Sequence, residues 1–272
     1  MTVKIAQITD THLFPDRKTM SRGVATWYSL RAVLEHVAAK QPEALLLTGD
    51  LANDGDPAAY DHLYELVAPL QIPAYWLPGN HDQLEVAQSV LGRSPFITIT
   101  QEPIAIGAWN LILLDSTLAT ATYGEGAIDT ATLDRLSEQL STNRPTLIAL
   151  HHHPLPMGID WLDTIGVTNA HDFLARLQPG VSPHGSKPQT QNKVVLFGHT
   201  HLEFAGDRHG VQFYGTPSTC TQVLRDHASE TEKLPGFRWL ELHPDGSHHS
   251  EVIRVPAAAR AGATITTDSV TR

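Results

Sequence analysis

Five short polar segments of this chain contain residue types that bind metal ions or transfer protons. They are Thr9-Asp10-Thr11-His12, Thr48-Gly49-Asp50, Pro78-Gly79-Asn80-His81-Asp82, Leu150-His151-His152-His153-Pro154 and Gly198-His199-Thr200-His201. Carboxylate oxygen, amide oxygen and neutral imidazole suit divalent ions such as Mn²⁺, Fe²⁺, Co²⁺ and Zn²⁺. The chain also has 16 His against 3 Met and 7 Phe. This excess of imidazole indicates metal or acid–base chemistry.

The spacing within two of the segments brings side chains to one side of the backbone. In Asp10-x-His12 and His199-x-His201, alternate side chains of a chain leaving a strand can reach one centre. Either motif alone is more often part of a surface or a turn than a ligand set, and an isolated Gly-Asp or Gly-Asn is an ordinary turn signal. All five segments occur together, which favours a shared site.

The elements before these segments explain how they could meet. Each segment follows a predicted buried strand, at 3–8, 44–47, 74–77, 146–150 and 193–197. Helical patterns lie between several of these strands, and strands alternating with helices are typical of α/β proteins with parallel strands. Because ligands of such folds bind beyond the carboxyl ends of the strands, we expect the five segments to converge there.

Further signals suggest the number of sheets and domains. Helix starts are predicted at Asp56, which precedes Pro57, and at Thr130 and Asn169. Two β-rich halves flanked by helices suggest two packed sheets with helices outside, although this pattern also fits one doubly wound sheet. We expect a single domain over 1–256, a polar connection near 181–192 and a disordered tail over 257–272.

Composition excludes several classes of protein. The chain has 272 residues, 19 Lys and Arg against 29 Asp and Glu, a formal net charge of −10 and one cysteine, Cys220. This acidic balance argues against a nucleic-acid polymer as partner. No apolar run approaches the about 18 to 20 residues of a membrane span, and the N-terminus has no signal-peptide pattern. A lone cysteine excludes a disulfide scaffold and a thiolate metal cage. We therefore expect a cytoplasmic protein with no membrane partner, whose oligomeric state stays open.

The five motifs, in this order, resemble the pattern of the calcineurin-like metallophosphoesterases: D-x-H, G-D, G-N-H-[DE], a His-rich strand end and G-H-x-H. Other stretches, including Trp161-Leu-Asp and Thr216-Pro-Ser-Thr-Cys, are similar to bacterial class III 3′,5′-cyclic nucleotide phosphodiesterases of the CpdA type. The resemblance covers roughly residues 3–256. It implies an α/β fold in which two mixed β-sheets flanked by helices form a four-layer αββα sandwich.

The resemblance also implies a dinuclear metal centre with two divalent ions, Fe²⁺ or Mn²⁺ foremost, with Zn²⁺ and Co²⁺ as alternatives. One ion would be held by Asp10, His12, Asp50 and His201. The second would be held by Asp50, Asn80, His151 and His199, so that Asp50 bridges the pair. Of the three consecutive histidines, the family pattern selects His151 as the ligand and leaves His152 and His153 to packing or substrate contacts.

The same resemblance assigns His81 as the catalytic histidine, oriented by Asp54 or Asp82 unless these are simply solvated loop carboxylates. Substrate contacts would come from His12, Asn80, His81 and His201. The implied reaction is in-line attack of a hydroxide shared by the two ions on cyclic AMP, which yields 5′-AMP.

Two other functions stay open at this point. The metal centre would act on the phosphoryl group and would not contact the base. The substrate could therefore be another small diester, such as a glycerophosphodiester, or a phosphomonoester. A protein of a different class, a metal-free interaction module on the same fold, is the remaining alternative.

Overall fold

The computed structural model describes residues 1–142, 144–178 and 192–256. Its strands are, in chain order, β1 (Val3–Ile8), β2 (Met20–Ser21), β3 (Val24–Ala25), β4 (Ala44–Thr48), β5 (Ala74–Leu77), β6 (Ile97–Thr98), β7 (Ile104–Ile106), β8 (Trp109–Leu113), β9 (Thr146–Ala149), β10 (Lys193–Phe197), β11 (Phe204–Arg208), β12 (Val211–Gly215), β13 (Gly236–Leu242) and β14 (His248–Arg254). Its helices are α1 (Thr26–Lys40), α2 (Pro57–Val67), α3 (Leu84–Leu91), α4 (Thr130–Gln139), α5 (Asp160–Asp163) and α6 (Ala170–Leu177), with a 3₁₀ turn at Ala68–Leu70.

Two six-stranded mixed sheets form the centre of the protein. The first has the order β14-β13-β1-β4-β5-β6, and its strands β1, β4, β5 and β6 are parallel. The second has the order β11-β12-β10-β9-β8-β7, and its strands β12, β10, β9 and β8 are parallel. The five strands that precede the polar segments therefore lie in the parallel parts of both sheets. This architecture selects two packed sheets over one doubly wound sheet.

Three buried apolar clusters account for the layers. The middle cluster joins side chains of both sheets, such as Ile5 and Leu46 from the first with Leu147 and Leu196 from the second. A second cluster packs α1, α2 and α3 on the outer face of the first sheet. A third packs α4 and α6 on the outer face of the second sheet. The result is the predicted αββα order of layers.

The helix starts differ in part from the prediction. Asp56 caps α2 as expected, because its carboxylate accepts a hydrogen bond from the Ala58 backbone amide. The prediction of Thr130 as a cap was wrong. Asp129 caps α4 by accepting hydrogen bonds from the amide and the hydroxyl of Thr132.

Asn169 occupies the N-cap position of α6, but its side chain does not cap that helix. Its amide instead bonds the backbone oxygen and nitrogen of Ile128, at 2.7 and 3.0 Å. The side-chain amide of Asn169 therefore binds the loop at Ile128, which is distant in sequence, and is not available to cap α6.

Some elements had no sequence prediction. The short helix α3, the edge strand β11 and the two-residue strands β2 and β3 are too short or too polar to give a clear periodic pattern. No helix among the described residues is both long and apolar enough to cross a membrane. The expected connection at 181–192 falls almost wholly outside the described residues, as does all of the expected tail, so the domain boundaries stay a prediction.

Candidate metal centre

The five polar segments meet where the carboxyl ends of the parallel strands of both sheets come together. All seven residues predicted as metal ligands are in this place. The six carboxylates and imidazoles belong to groups that also include His81 and His152, and within each group the ligand atoms lie within 4.8 Å of one another. The seventh, Asn80, has its Oδ1 3.2 Å from His151 Nε2. Every one of these side chains except Asn80 and His201 is buried. The sheet edges thus bring together residues that are far apart in sequence.

One group of donors surrounds Asp10. Its Oδ1 lies 3.3 Å from His201 Nε2, and His201 Nε2 lies 3.1 Å from His12 Nε2. His12 Nε2 is in turn 3.6 Å from Asp50 Oδ2. Ligand atoms about 2.1 Å from a tetrahedral ion lie about 3.4 Å from one another. The observed separations therefore fit donors that face one common ion.

A second group surrounds His151. Its Nε2 lies 3.2 Å from Asn80 Oδ1, 3.3 Å from His199 Nδ1 and 3.4 Å from Asp50 Oδ1. Asp50 thus turns Oδ1 towards this group and Oδ2 towards the group around Asp10. One carboxylate with an oxygen in each group is the arrangement that a bridge between two ions requires.

Backbone carbonyls select which imidazole nitrogen is free to bind an ion. Thr48 O lies 2.8 Å from His151 Nδ1, and Thr221 O lies 2.6 Å from His201 Nδ1. A carbonyl oxygen only accepts hydrogen bonds, so each Nδ1 is protonated and each Nε2 is the nitrogen that faces the donor group and would bind an ion. His199 Nε2 is buried with no hydrogen-bond partner in the described protein, since His199 uses Nδ1 to face His151.

His152 lies beside the second group but has no free ring nitrogen. Its Nδ1 is 2.9 Å from Ser116 Oγ and its Nε2 is 3.0 Å from Gly124 O. Burial is the main cause that lowers the pKa of His152 to about 3, so the ring is neutral and both nitrogens are engaged. The geometry therefore favours His151 over His152 as the ligand.

Four of the predicted ligands have the protonation state that cation binding requires. Burial by itself would raise the pKa values of Asp10 and Asp50, but their partners His201 and His151 outweigh it and lower both. Burial lowers the pKa of His12 to about 4 and that of His199 well below its usual range. The two carboxylates are therefore charged and these two imidazoles neutral at pH 7, as metal ligands must be.

His81 is exposed at the edge of the centre, with its ring edge-to-face against His12 at a centroid distance of 4.8 Å. Its Nδ1 lies 2.6 Å from Asn53 O, and its backbone nitrogen donates to Asp50 Oδ1 at 2.9 Å. The expectation that Asp54 or Asp82 orients this ring was wrong, because the carbonyl of Asn53 holds it. Nδ1 is thereby protonated, and Nε2 is left for substrate.

Asp82 has a different role, which the sequence did not reveal. Its carboxylate accepts hydrogen bonds from the backbone amides of Leu51, Ala52 and Gly79 and from the hydroxyl of Tyr60. It therefore joins the loop after β4, which presents Asp50, to the loop after β5, which presents Asn80 and His81. The sequence suggested Asp82 only as a group that could orient His81 or as a solvated loop carboxylate.

The backbone at the centre is unusual in two ways. The predicted ligands Asp10, His12, Asp50, His199 and His201 have φ between 40° and 63°, the left-handed region that costs non-glycine residues energy. The adjacent glycines permit close approach. A Cβ on Gly79 would lie 2.2 Å from Asp50 Oδ1, and one on Gly198 would lie 2.0 Å from Thr9 Oγ1.

A buried polar network joins the two sheets just behind the ligands. Gln7 donates to Thr48 Oγ1 at 2.9 Å and to Phe197 O at 3.3 Å, which links the ends of β4 and β10. Thr216 donates to Gln7 Oε1 and accepts from Arg238 Nε at 3.1 Å. This network fixes the relative position of strand ends that belong to different sheets.

Comparison with known proteins agrees with this geometry. The family model described as calcineurin-like phosphoesterase matches residues 3–203. The chain belongs to the calcineurin-like phosphoesterase family. A 3′,5′-cyclic-nucleotide phosphodiesterase of Nostoc sp. is 37% identical over 270 residues, which cover 97% of this chain and 97% of that relative. The 3′,5′-cyclic adenosine monophosphate phosphodiesterase CpdA of Escherichia coli K12 is 40% identical over 267 residues, covering 93% of this phosphoesterase and 90% of CpdA.

A solved structure supports the fold of this calcineurin-like phosphoesterase. The crystal structure of a dimetal phosphatase from Danio rerio aligns with a TM-score of 0.61 over 93% of this chain and 99% of that one, at 13% identity. The predicted family and the predicted fold are therefore both confirmed.

Proposed function

We propose that this calcineurin-like phosphoesterase is a metal-dependent 3′,5′-cyclic-nucleotide phosphodiesterase that hydrolyses cyclic AMP to 5′-AMP. The observation that carries the proposal is the position of Asp50, whose two oxygens face two separate groups of metal-type donors. The relatives from Nostoc and Escherichia coli, which align along nearly the whole chain, support cyclic nucleotides as the substrate class.

In this proposal two divalent ions bind, Fe²⁺ or Mn²⁺ foremost, with Zn²⁺ and Co²⁺ as alternatives. Asp10, His12, Asp50 and His201 would hold one ion, and Asp50, Asn80, His151 and His199 the other. Bound there, the pair would lower the pKa of water and neutralise charge on the phosphoryl oxygens. The preference for oxygen and imidazole donors, without sulfur, fits these borderline ions.

The protein's own residues then orient the substrate and supply the proton. The exposed imidazole of His81 is the acid that protonates the departing 3′-oxygen. Its Nδ1–H donates to Asn53 O at 2.6 Å, so Nε2 is the nitrogen that faces the substrate, and the imidazolium form would carry the transferable proton there. His12 packs against His81, His201 lies beside His12, and Asn80 precedes His81 in the chain; these three side chains would contact the phosphoryl group. A positioned acid of this kind typically contributes about a hundredfold to ten-thousandfold in rate.

The first experiment compares three substrates on the full chain supplied with Mn²⁺: 3′,5′-cyclic AMP, bis(p-nitrophenyl) phosphate and p-nitrophenyl phosphate. The proposal expects 5′-AMP from cyclic AMP, loss of turnover on chelation, and a higher kcat/KM for cyclic AMP than for the model diester. Turnover of the model diester without cyclic AMP hydrolysis would move the substrate to another small phosphodiester, such as a glycerophosphodiester. No metal uptake and no activity would favour the interaction module.

The ligand assignment has its own test, which is metal content after substitution. Asp50→Asn should lower the content of both ions, because its carboxylate serves both groups. His151→Asn should lose one ion, whereas His152→Asn should retain two, since the nitrogens of His152 already bond Ser116 and Gly124. Loss of an ion from the His152 variant alone would transfer the ligand role to His152.

The proposal also assigns the protein to the cytoplasm, with a small cyclic nucleotide as its partner and neither nucleic acid nor membrane. Cys220, which is buried and unbridged, is consistent with a reducing compartment.

A further inference from the structure

Most of the large exposed apolar side chains of the described residues lie on segments that follow strands, as the segments of the metal centre do. Apart from Met1, six large apolar side chains of the described chain are exposed, and five of these lie on segments that leave the carboxyl ends of strands. Those five are Met20, Leu84, Tyr123, Trp161 and Leu224. The remaining one, Phe96, precedes a strand. These five side chains, called the apolar rim below, are candidates for apolar contact with a substrate whose phosphate lies at the metal centre.

Tyr123 is the most exposed of the five, at 83%, and it stands on a turn after β8. The turn has a fixed shape, because the carboxylate of Glu125 accepts hydrogen bonds from the backbone amides of Thr122 and Tyr123, at 2.9 and 2.8 Å. Gly124 has φ of +94°, a conformation that favours glycine. The ring of Tyr123 is therefore presented to solvent by a backbone that is already ordered.

The same turn is attached to the metal centre from two sides. A Cβ at Gly124 would lie 3.0 Å from Asn80 Nδ2, so the turn packs directly against the side chain of a predicted ligand. On the other side, His152 Nε2 donates to Gly124 O at 3.0 Å. Tyr123 is therefore the immediate neighbour of a residue that packs against both Asn80 and His152.

We propose that Tyr123 is a specificity-determining residue that stacks on the purine base of the nucleotide. This inference rests on the proposed function, since it takes the phosphate to be bound at the metal centre. A phenol ring has two rotatable bonds and so loses little conformational entropy on contact. The ring can stack on a base without base-specific hydrogen bonds. This fits a site whose other side chains would contact only the phosphoryl group.

The test uses calorimetric binding of two product-like ligands to the Mn²⁺-loaded full chain: 5′-AMP, and ribose 5-phosphate, which lacks the base. We expect Tyr123→Ala to weaken 5′-AMP about tenfold and to leave ribose 5-phosphate unchanged within about twofold, as a lost base stack would. Tyr123→Phe should keep the affinity for 5′-AMP. Phe96→Ala is the matched control, because it removes an exposed aromatic ring outside the apolar rim.

Three results would overturn the inference. The first is unchanged 5′-AMP binding in Tyr123→Ala. If Trp161→Ala then weakens 5′-AMP but not ribose 5-phosphate, the base contact belongs to Trp161. An equal loss for both ligands would show that the turn supports the phosphate end through Asn80. Unchanged 5′-AMP binding together with a change in sedimentation would assign the ring to an interface between copies of the chain.

Failure of the proposed function has a different signature. In that case the wild-type protein would not hydrolyse cyclic AMP. Base-dependent binding of 5′-AMP that needs Tyr123 would still support the stacking contact, so the two conclusions are refuted by separate measurements.

Discussion

Metal binding to this protein should release protons at neutral pH, chiefly from His151. Burial disfavours the charged form of this imidazole, but the carboxylate of Asp50, 3.4 Å from Nε2, outweighs burial and raises the pKa of His151 to about 9. In the metal-free protein His151 therefore holds a proton on Nε2, the nitrogen proposed to bind the ion. The ion must displace that proton.

The size of the effect follows from the pKa. At pH 7, two units below a pKa of about 9, only about 1% of His151 is neutral. The apparent metal affinity should then be about 100-fold below its high-pH limit, or about 2.7 kcal/mol. It should rise about tenfold per pH unit up to pH 9 and then level off. His201 adds to this release, because Asp10 outweighs burial and raises its pKa as well.

The assay is calorimetric titration of the metal-free protein with Mn²⁺ at pH 7 in two buffers of different ionisation enthalpy. The difference in heat should correspond to at least about one proton per molecule. His171→Asn, which changes a fully solvent-exposed histidine on α6, is the control and should leave the count unchanged. Release of far less than one proton at pH 7, or an affinity independent of pH between 7 and 9, would refute the reasoning.

Three further predictions concern rate, metal affinity and stability. His81→Ala should retain both ions by mass spectrometry but lower kcat by about a hundredfold to ten-thousandfold, and near-normal turnover would remove His81 from the mechanism. Gly79→Ala should weaken metal binding, measured by competition with a chelator, because its Cβ would lie 2.2 Å from Asp50 Oδ1; unchanged affinity would contradict that close approach. Arg238→Met should lower the free energy of unfolding by about 3 kcal/mol in urea titrations, since Gly215 O and Thr216 Oγ1 lose a buried donor, whereas the exposed Arg208→Met should change it by under about 0.5 kcal/mol.

The sequence predicted the fold well where a pattern is local and long. The buried strands at Val3–Ile8, Ala74–Leu77 and Lys193–Phe197 have the bounds that their apolar runs indicate. Prediction was weaker where a distant contact decides the outcome. The side chain of Asn169 bonds Ile128 instead of capping its helix. Strand β12 pairs with its chain neighbour β11, but it also pairs in parallel with the distant β10. Neither distant partner can be read from local periodicity.

At the candidate site, too, local sequence features were predictable and contacts between distant residues were not. Residue type and position after strands identified the five segments that the structure brings together, and the family pattern assigned the individual ligands, including His151. The roles of the supporting groups could not be found in this way. Asn53 holds His81 through a backbone carbonyl, which every residue possesses and which therefore gives no sequence signal. Asp82 bonds three backbone amides of other loops, and only folding brings those amides to it.

The chemistry of this protein was determined by its sequence, because donor types are properties of individual side chains and their spacing after strands is a property of the chain. The family resemblance implied how those donors divide between two ions, but only the tertiary structure gives that division its geometry, because Asp50 turns one oxygen to each group of donors. The structure also decided that His152 is engaged by Ser116 and Gly124 while His151 is free. These identical neighbours in sequence have different roles because their side chains face different surroundings, Asp50 and His199 for His151, and Ser116 and Gly124 for His152.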